Sequence, residues 1–283
     1  MTTMPADPDT TTEAELRFLY ERNLSALPRL QTTSVLIRAL WWRGLIHLRK
    51  WVIKPNRHYA SWRLLWNDRS GGAVVFEGRD YLLRPNCLVA IPPRTEVTAR
   101  LNRAVEHWSC NLLLGQPYDR VAPQILVAQL DRQAREVMDE LVIANPVDGA
   151  LSLRQSLSLQ VLLGLILREL ADDELGPQPG DQRIRHVIAV LNDNPNYSNS
   201  ELAALAGMST NGFHRLFTEQ VGMTPHAYVL QRKIDLACGL LTHSTETIDA
   251  IAATCGFNDR AYFARAFRRQ LKVTPSEYRR QQQ

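Results

Sequence analysis

Residues 198–217 read SNSELAALAGMSTNGFHRLF, and residues 247–267 read TIDAIAATCGFNDRAYFARAF. Laid over each other, Leu202-Ala203 meets Ile251-Ala252 and Gly207 meets Gly256. One extra residue in the second turn then brings Ser209 onto Asp259, Phe213 onto Phe263 and Phe217 onto Phe267. Thr224-Pro225 falls on Thr274-Pro275 and Tyr228 on Tyr278, so a unit of about 50 residues is duplicated. Each copy has the grammar of two short helices and a tight turn. Ser198-x-x-Glu201 is a capping box, and Thr247 holds the matching place in the second copy. Gly207 and Gly256 end the first helices, where glycine reaches the left-handed conformation cheaply. Ser209 and Asp259 then cap second helices whose Phe213, Leu216, Phe217 and Phe263, Ala266, Phe267 recur at core-facing spacing. Helix, glycine turn, helix is also the plan of units that lay their second helix in the DNA major groove.

The charge supports that reading. The 283 residues carry a net +4, too little to announce a polyanionic partner. Residues 1–180 hold 21 basic against 20 acidic side chains, whereas residues 181–283 hold 12 against 9. From Gly256 onward Arg260, Arg265, Arg268, Arg269, Lys272, Arg279 and Arg280 face only Asp259 and Glu277, a local field suited to phosphate.

Upstream of the repeat, residues 36–114 read as short strands: Val52-Ile53, Arg63–Trp66, Ala73–Phe76, Tyr81–Leu83, Leu88–Ile91 and Trp108–Leu114. Turns at Ser70-Gly71-Gly72, Glu77-Gly78, Pro85-Asn86 and Pro92-Pro93 separate them, which predicts a sandwich or barrel rather than β-α-β units. From about residue 124 to 171 the pattern turns helical, and Leu151–Leu170 is apolar on nearly every side. Such a helix wants more than one partner, and the expectation is the β domain on one face and a second subunit on the other. Asp172–Asp181 reads as a polar linker with both proline and glycine. The four cysteines lie far apart and read as reduced, buried thiols. With no signal-like N-terminus and no apolar run near membrane-spanning length, a soluble cytoplasmic protein without a membrane partner is expected.

The residues of the duplicated unit, together with Val221-Gly222-Met223-Thr224-Pro225, Arg232…Ala237…Leu240-Leu241, Cys255-Gly256-Phe257-Asn258-Asp259 and Thr274-Pro-Ser-Glu-Tyr278, resemble the AraC/XylS family of bacterial transcription regulators over nearly all of the last hundred positions. The resemblance implies two helix-turn-helix motifs bridged by a long helix at about 225–241, binding promoter DNA. Carried over position by position, base-edge readers would be Asn211, His214 and Arg215 in the first recognition helix. In the second they would be Arg260 and Arg265, with Ala261 and Ala264 at further matching positions. Arginine suits guanine and asparagine adenine, while Arg268, Arg269 and Lys272 suit phosphates. RNA polymerase is a further implied partner, with an activator role.

Residues 56–93 resemble, more loosely, the cupin-like effector domain of such regulators, through His58, Trp62-Arg-Leu-Leu-Trp66, Gly71-Gly72, Phe76-Glu77-Gly78-Arg79, Tyr81–Asn86 and Ile91-Pro92-Pro93. Where catalytic cupins place metal ligands, this chain reads His58, Ala60 and Leu64, and one ligand of four holds no metal. No metal or other cofactor is therefore expected. Strand alternation places His58, Trp62, Leu64 and Trp66 on one face, which suits a sugar-like or aromatic effector. Glu77 and Arg43 are weaker candidates for the same site.

The expected architecture is α+β. An N-terminal cupin-like β-barrel with helices at about 124–171 forms a sensor domain over 1–171, followed by a linker at 172–181. An all-α reader with two helix-turn-helix motifs fills 182–283. The expected function is an effector-controlled, homodimeric transcription regulator. The rivals are the same regulator with a vestigial sensor acting unliganded, and a cupin-type enzyme, for which no nucleophile–base pair or metal cluster is found.

Overall fold

The computed structural model describes residues 35, 37–53, 55, 59–144, 146, 150–175 and 179–282. Its β region contains two antiparallel sheets. The larger runs β1 (Ala39–Leu48), β7 (Val105–Leu113), β2 (Trp62–Asn67), β5 (Cys87–Ile91) and β8 (Leu126–Gln129) in spatial order. The smaller runs β4 (Arg79–Leu83), β3 (Gly72–Phe76) and β6 (Thr98–Leu101). Among the described residues, strands β1, β8, β4 and β6 have one sheet partner each, so the expected barrel is corrected to two sheets that do not close into a ring.

Two strand expectations also change. Val52-Ile53 forms no strand, and residues 126–129, expected to open the helical segment, pair with β5 instead. Their β-branched and apolar side chains complete a buried sheet edge. Helix begins only after Asp131, whose carboxylate caps α1 (Arg132–Val142) at Ala134 N. The apolar segment then forms α2 (Leu153–Leu167), opened by a Ser152/Gln155 capping box and packed on β5 and β8. Its Leu159, Leu162, Leu163 and Ile166 are buried, while Leu153, Leu157 and Val161 are 78%, 57% and 50% exposed. These three stand at i, i+4 and i+8 and leave one apolar stripe uncovered.

Register separates the two faces of the large sheet. Residues opposite each other share a face, so Trp62 with Leu112, Leu64 with Cys110 and Trp66 with Trp108 form one layer. That layer looks at the helices: Trp108 Nε1 donates to Leu141 O of α1 at 3.2 Å. Arg63 with Asn111, Leu65 with Ser109 and Asn67 with His107 form the other layer, which looks at the small sheet. Between the sheets Leu65, Val89 and Ile91 pack on Val74, Leu83, Val97 and Ile125.

The C-terminal region is helical throughout: α3 (Gln182–Asp193), α4 (Asn199–Leu205), α5 (Thr210–Val221), α6 (Pro225–His243), α7 (Ile248–Thr254), α8 (Arg260–Leu271) and α9 (Pro275–Gln282). The duplication predicted from sequence is geometric as well. Phe213–Phe217 and Phe217–Tyr228 ring centroids lie 5.4 and 5.6 Å apart, against 5.6 and 5.5 Å for Phe263–Phe267 and Phe267–Tyr278. Gly207 and Gly256 take φ of 63° and 71° in the two turns, as the helix-stop reading requires. Helix α6 serves both cores, giving Tyr228 to the first and Ile234, Ala237 and Leu241 to the second. All four cysteines are buried and free. None of the described helices is long and apolar enough to cross a membrane.

Candidate nucleic-acid interface and sensor face

The two second helices present their predicted readers outward. In α5, Ser209 caps Gly212 N, Phe213 and Phe217 are sunk in the core, and Asn211, His214 and Arg215 are exposed. Positions 211, 214 and 215 are one turn apart and share a face. In α8, Asp259 accepts from Ala261 N at 2.8 Å and Tyr262 N at 3.1 Å, satisfying two orphan amides with a charge the helix N-terminus favours. Arg260, Ala261, Arg265, Arg268, Arg269 and Lys272 are exposed and Ala264 is half-buried. Lys272 closes α8 in the left-handed conformation at φ 64°. Arg268 and Arg269 lie in the last turn, where positive charge complements the helix dipole.

The two reader faces differ in their present engagements. Arg260 Nη1 lies 3.0 Å from Asp249 Oδ2 of α7, and Arg265 Nη2 lies 3.7 Å from Asp259 Oδ2. Both pairs are well over half exposed and contribute little, so they yield easily to a stronger acceptor. Arg215 has no ion pair among the described residues.

The β region gives a different result for the predicted effector residues. His58 lies outside the described residues. Trp62 is fully buried with Nε1 donating to Tyr118 O at 3.0 Å, and Trp66 Nε1 donates to Pro85 O at 3.1 Å. Both indoles are on the helix-facing layer, not between the sheets. Glu77 is exposed in the β3–β4 turn at φ 49°, and Arg43 is exposed at the β1 irregularity between Trp42 and Gly44. Trp62 and Trp66 share the one layer, as strand alternation places them, whereas Glu77 lies in an exposed turn and Arg43 on β1.

The polar side chains between the sheets are ones that sequence reasoning missed. Arg63, Asn67, His107 and Asn111 are all buried. Arg63 Nη2 donates to Thr95 O at 2.6 Å, and its guanidinium lies 4.6 Å over the Tyr59 ring. Burial pulls its pKa down to about 10. Asn67 Oδ1 is 2.8 Å from His107 Nδ1, and burial, with the field of Arg43, pushes His107 down to about 4, so this imidazole is neutral. The available signal was Arg63 and Asn67 themselves, two polar side chains with a spacing of four inside the apolar strand Trp62-Arg-Leu-Leu-Trp-Asn67.

Two junctions join this β region to α6. At mid-helix, Arg232 is paired with Asp119 and with Asp235, all three nearly buried, and Arg94 Nη2 reaches Asp235 Oδ1 at 3.3 Å. A cleft of about 420 Å³ opens beside them, lined by Arg94, Asp119, Arg120, Tyr228 and Arg232 among others. At the helix end, His243 stacks on Trp41 with centroids 5.2 Å apart, and its Nε2 lies 2.9 Å from the Tyr59 hydroxyl. That hydroxyl also donates to Asn111 Oδ1 at 3.3 Å. Gly239, one turn before, admits the Trp41 ring where any Cβ would collide with it.

Residues 202–281 match a family described as a helix-turn-helix domain. The chain is similar to the HTH-type transcriptional activator RhaS of Escherichia fergusonii, at 30% identity over 235 residues covering 81% of this chain and 80% of that protein. It is also similar to the probable transcriptional regulator LumQ of Photobacterium leiognathi, at 31% identity over 41% of this chain, and spans 56% of that protein's length. Among solved structures, ToxT from Vibrio cholerae aligns over 85% of this chain and 98% of its own, with 12% identity and a TM-score of 0.47.

Proposed function

The chain belongs to the AraC/XylS family of transcription regulators, and from that premise we propose that it is an effector-controlled, DNA-binding regulator of promoter activity. Residues 1–171 act as sensor and dimerisation domain, 172–181 as linker and 182–283 as DNA reader. The observation that carries the reading is the pair of capped helices α5 and α8, held by the same aromatic frame, with Asn211, His214, Arg215 and Arg260, Ala261, Ala264, Arg265 turned outward. Two such helices suit adjacent major-groove segments about 34 Å apart. Asn211, His214, Arg215, Arg260 and Arg265 read base edges, the two alanines leave room or meet thymine methyls, and Arg268, Arg269 and Lys272 hold phosphates.

The protein works in the cytoplasm, recruits RNA polymerase and performs no catalysis, in keeping with relatives that are regulators rather than enzymes. It acts as a homodimer through the Leu153, Leu157, Val161 stripe of α2, three exposed apolar side chains aligned on one helix face. Two subunits then gain avidity for repeated half-sites. The test is hydroxyl-radical footprinting of the full chain on chromosomal fragments. Two protected segments about one helical turn apart per subunit are expected; protection without sequence preference would end this reading. In sedimentation, Leu157→Glu should convert dimer to monomer, and an unchanged mass would remove α2 from the interface.

A further inference from the structure

The β region joins the two helix-turn-helix copies a second time, in parallel with α6. Among the described residues the copies have separate cores, and α6 is the element that enters both. On the copy-one side the contact is made by residues 115–120. Gly115, at φ 80°, admits the Asn192 side chain of α3, and Arg120 Nη1 donates to Val221 O in the last turn of α5 at 3.2 Å. On the copy-two side Ala60 enters the core, and the Tyr59 hydroxyl meets His243 at the end of α6. Arg94 connects the two sides. Its backbone N donates to Tyr59 O at 2.7 Å, its Nη1 donates to Asp119 O at 2.8 Å, and its Nη2 reaches Asp235 Oδ1 of α6 at 3.3 Å. Val221, Arg120, Asp119, Arg94, Tyr59 and His243 thus form a bonded path from copy one to the far end of α6 that bypasses the body of that helix. Arg94 holds its place from a left-handed backbone, φ 62°, which is unfavourable for any residue with a Cβ and cheap for glycine. A side chain kept at such a position supplies what glycine could not, and here its fork of donors spans Asp119 O and Asp235.

We infer that the β region, with Arg94 at its centre, fixes the distance and angle between α5 and α8 and so sets which spacing of two DNA segments the protein accepts. This rests on the two-helix DNA reading proposed above and adds Arg94 and Arg120 to it as positioning residues. Neither touches DNA; both act through the helices they hold. One helix of 19 residues, α6, leaves two independently packed copies free to bend against each other. The second connection turns that single joint into a closed frame. A frame of this kind gives up less freedom when both segments are bound at once, and it tolerates less displacement of either segment. Arg120 holds α5 by its C-terminal carbonyl, the end at which a cation suits the helix dipole. The opposite end of α5, with Asn211, His214 and Arg215, stays exposed. The base edges that are read therefore belong to α5 and α8, whereas the number of base pairs between them belongs to the β region.

The test is selection by the full-length protein from a pool of random-sequence duplexes. Affinities are then measured on the selected duplex with one base pair inserted or removed between its two preferred segments. The parent should select two segments at one dominant spacing. Arg94→Gly keeps the backbone conformation and removes the fork of donors. Arg120→Met releases only the copy-one end, from an exposed position where folding is not at stake. Both variants should select the same two base patterns but across several spacings. One base pair moves the second segment by about 3.4 Å and turns it by about 35°. That change should cost the parent about 10- to 100-fold in affinity, on the scale of a lost base contact, and each variant only about two- to fivefold. Arg94→Lys, whose single ammonium cannot span both acceptors, should fall between. A parent tolerant of several spacings, or variants that keep its single spacing, would overturn the inference and leave the two-helix reading standing. Variants weakened by one common factor at every spacing would do the same, because the contacts would then be structural only. A parent that selects one segment, or none, would overturn the two-helix reading itself.

Discussion

The two helix-turn-helix copies share a skeleton and little else. Their aromatic triads agree within a few tenths of an ångström, yet α5 carries Arg215 against Glu219 while α8 carries Arg260, Arg265, Arg268 and Arg269 with Lys272 at its end. They are also held differently. Copy one abuts the 3-10 turn at Tyr118–Arg120, where Arg120 donates to Val221 O at 3.2 Å and Asp119 pairs with Arg232. Copy two lies against the aromatic junction of Trp41, Tyr59 and His243, and Ala60 enters its core. Buried positions are fixed by packing, which the two copies have in common. Exposed positions are free to answer to different partners.

The comparison can be broken first at its shared part. Phe217→Ala and Phe267→Ala should each cost about 3–5 kcal/mol, because both rings are fully buried in equivalent cores. Denaturant midpoints measure this, and a difference of more than about 2 kcal/mol between the two would deny that the frames are equivalent. The two junctions come next. Arg232→Met leaves Asp119 and Asp235 buried together with only the half-exposed Arg94 nearby, and should cost about 3–4 kcal/mol. The copy-two junction shows no such ion pair among the described residues; it is held by the Trp41–His243 stack and the Tyr59–His243 hydrogen bond.

Acid should act on the opposite side. Burial, with the field of Arg43, lowers His243 to about 4, below its ordinary value in an unfolded chain. The folded state therefore binds fewer protons between these values, and stability falls as pH drops from about 6.5 toward 4. The share of His243 is on the order of 2–3 kcal/mol. His243→Gln should flatten part of that slope in pH-dependent denaturation, whereas Arg232→Met should add a slope of opposite sign, because the buried Asp235 loses a cation that offsets the upward push of burial on its pKa. The neutral His107 adds a parallel slope of its own, so the two histidines must be replaced separately.

What was legible in the sequence follows the same division. Caps, glycine turns and the Phe-x3-Phe spacing are local, and Ser198, Gly207, Ser209, Thr247, Gly256 and Asp259 all took the positions their chemistry predicts. The faces of β2 were not legible. Every residue from Trp62 to Asn67 is buried, so alternation gives two faces without saying which is inside. The tryptophans looked like ligand-binding residues because they are large and amphipathic; they are in fact satisfied by Tyr118 O and Pro85 O on the helix side. Only pairing partners reveal that Arg63 and Asn67 look inward. The strand at 126–129 was hidden for a related reason: an edge strand is defined by the β5 it completes.

The smallest effects test the unshared surface. Arg215→Ala and Arg265→Ala should each lose about 1–3 kcal/mol at the cognate site and relax preference at one base position. The loss at Arg265 is reduced slightly by release of Asp259, an exposed pair of little worth. Arg268→Ala and Lys272→Ala should instead weaken all sequences alike and lower the slope of log affinity against log salt by about one each. Because α5 is near neutral, no substitution in it other than Arg215 should change that slope. If Asn211→Ala or His214→Ala did change it, or if Arg268→Ala altered base preference, the division between a base-reading first helix and a phosphate-rich second helix would have to be abandoned. If instead the slope loss outside Arg215 is confined to α8, the second copy carries most of the phosphate affinity while both copies read bases. The aromatic frame then serves as a common mount for two different tasks.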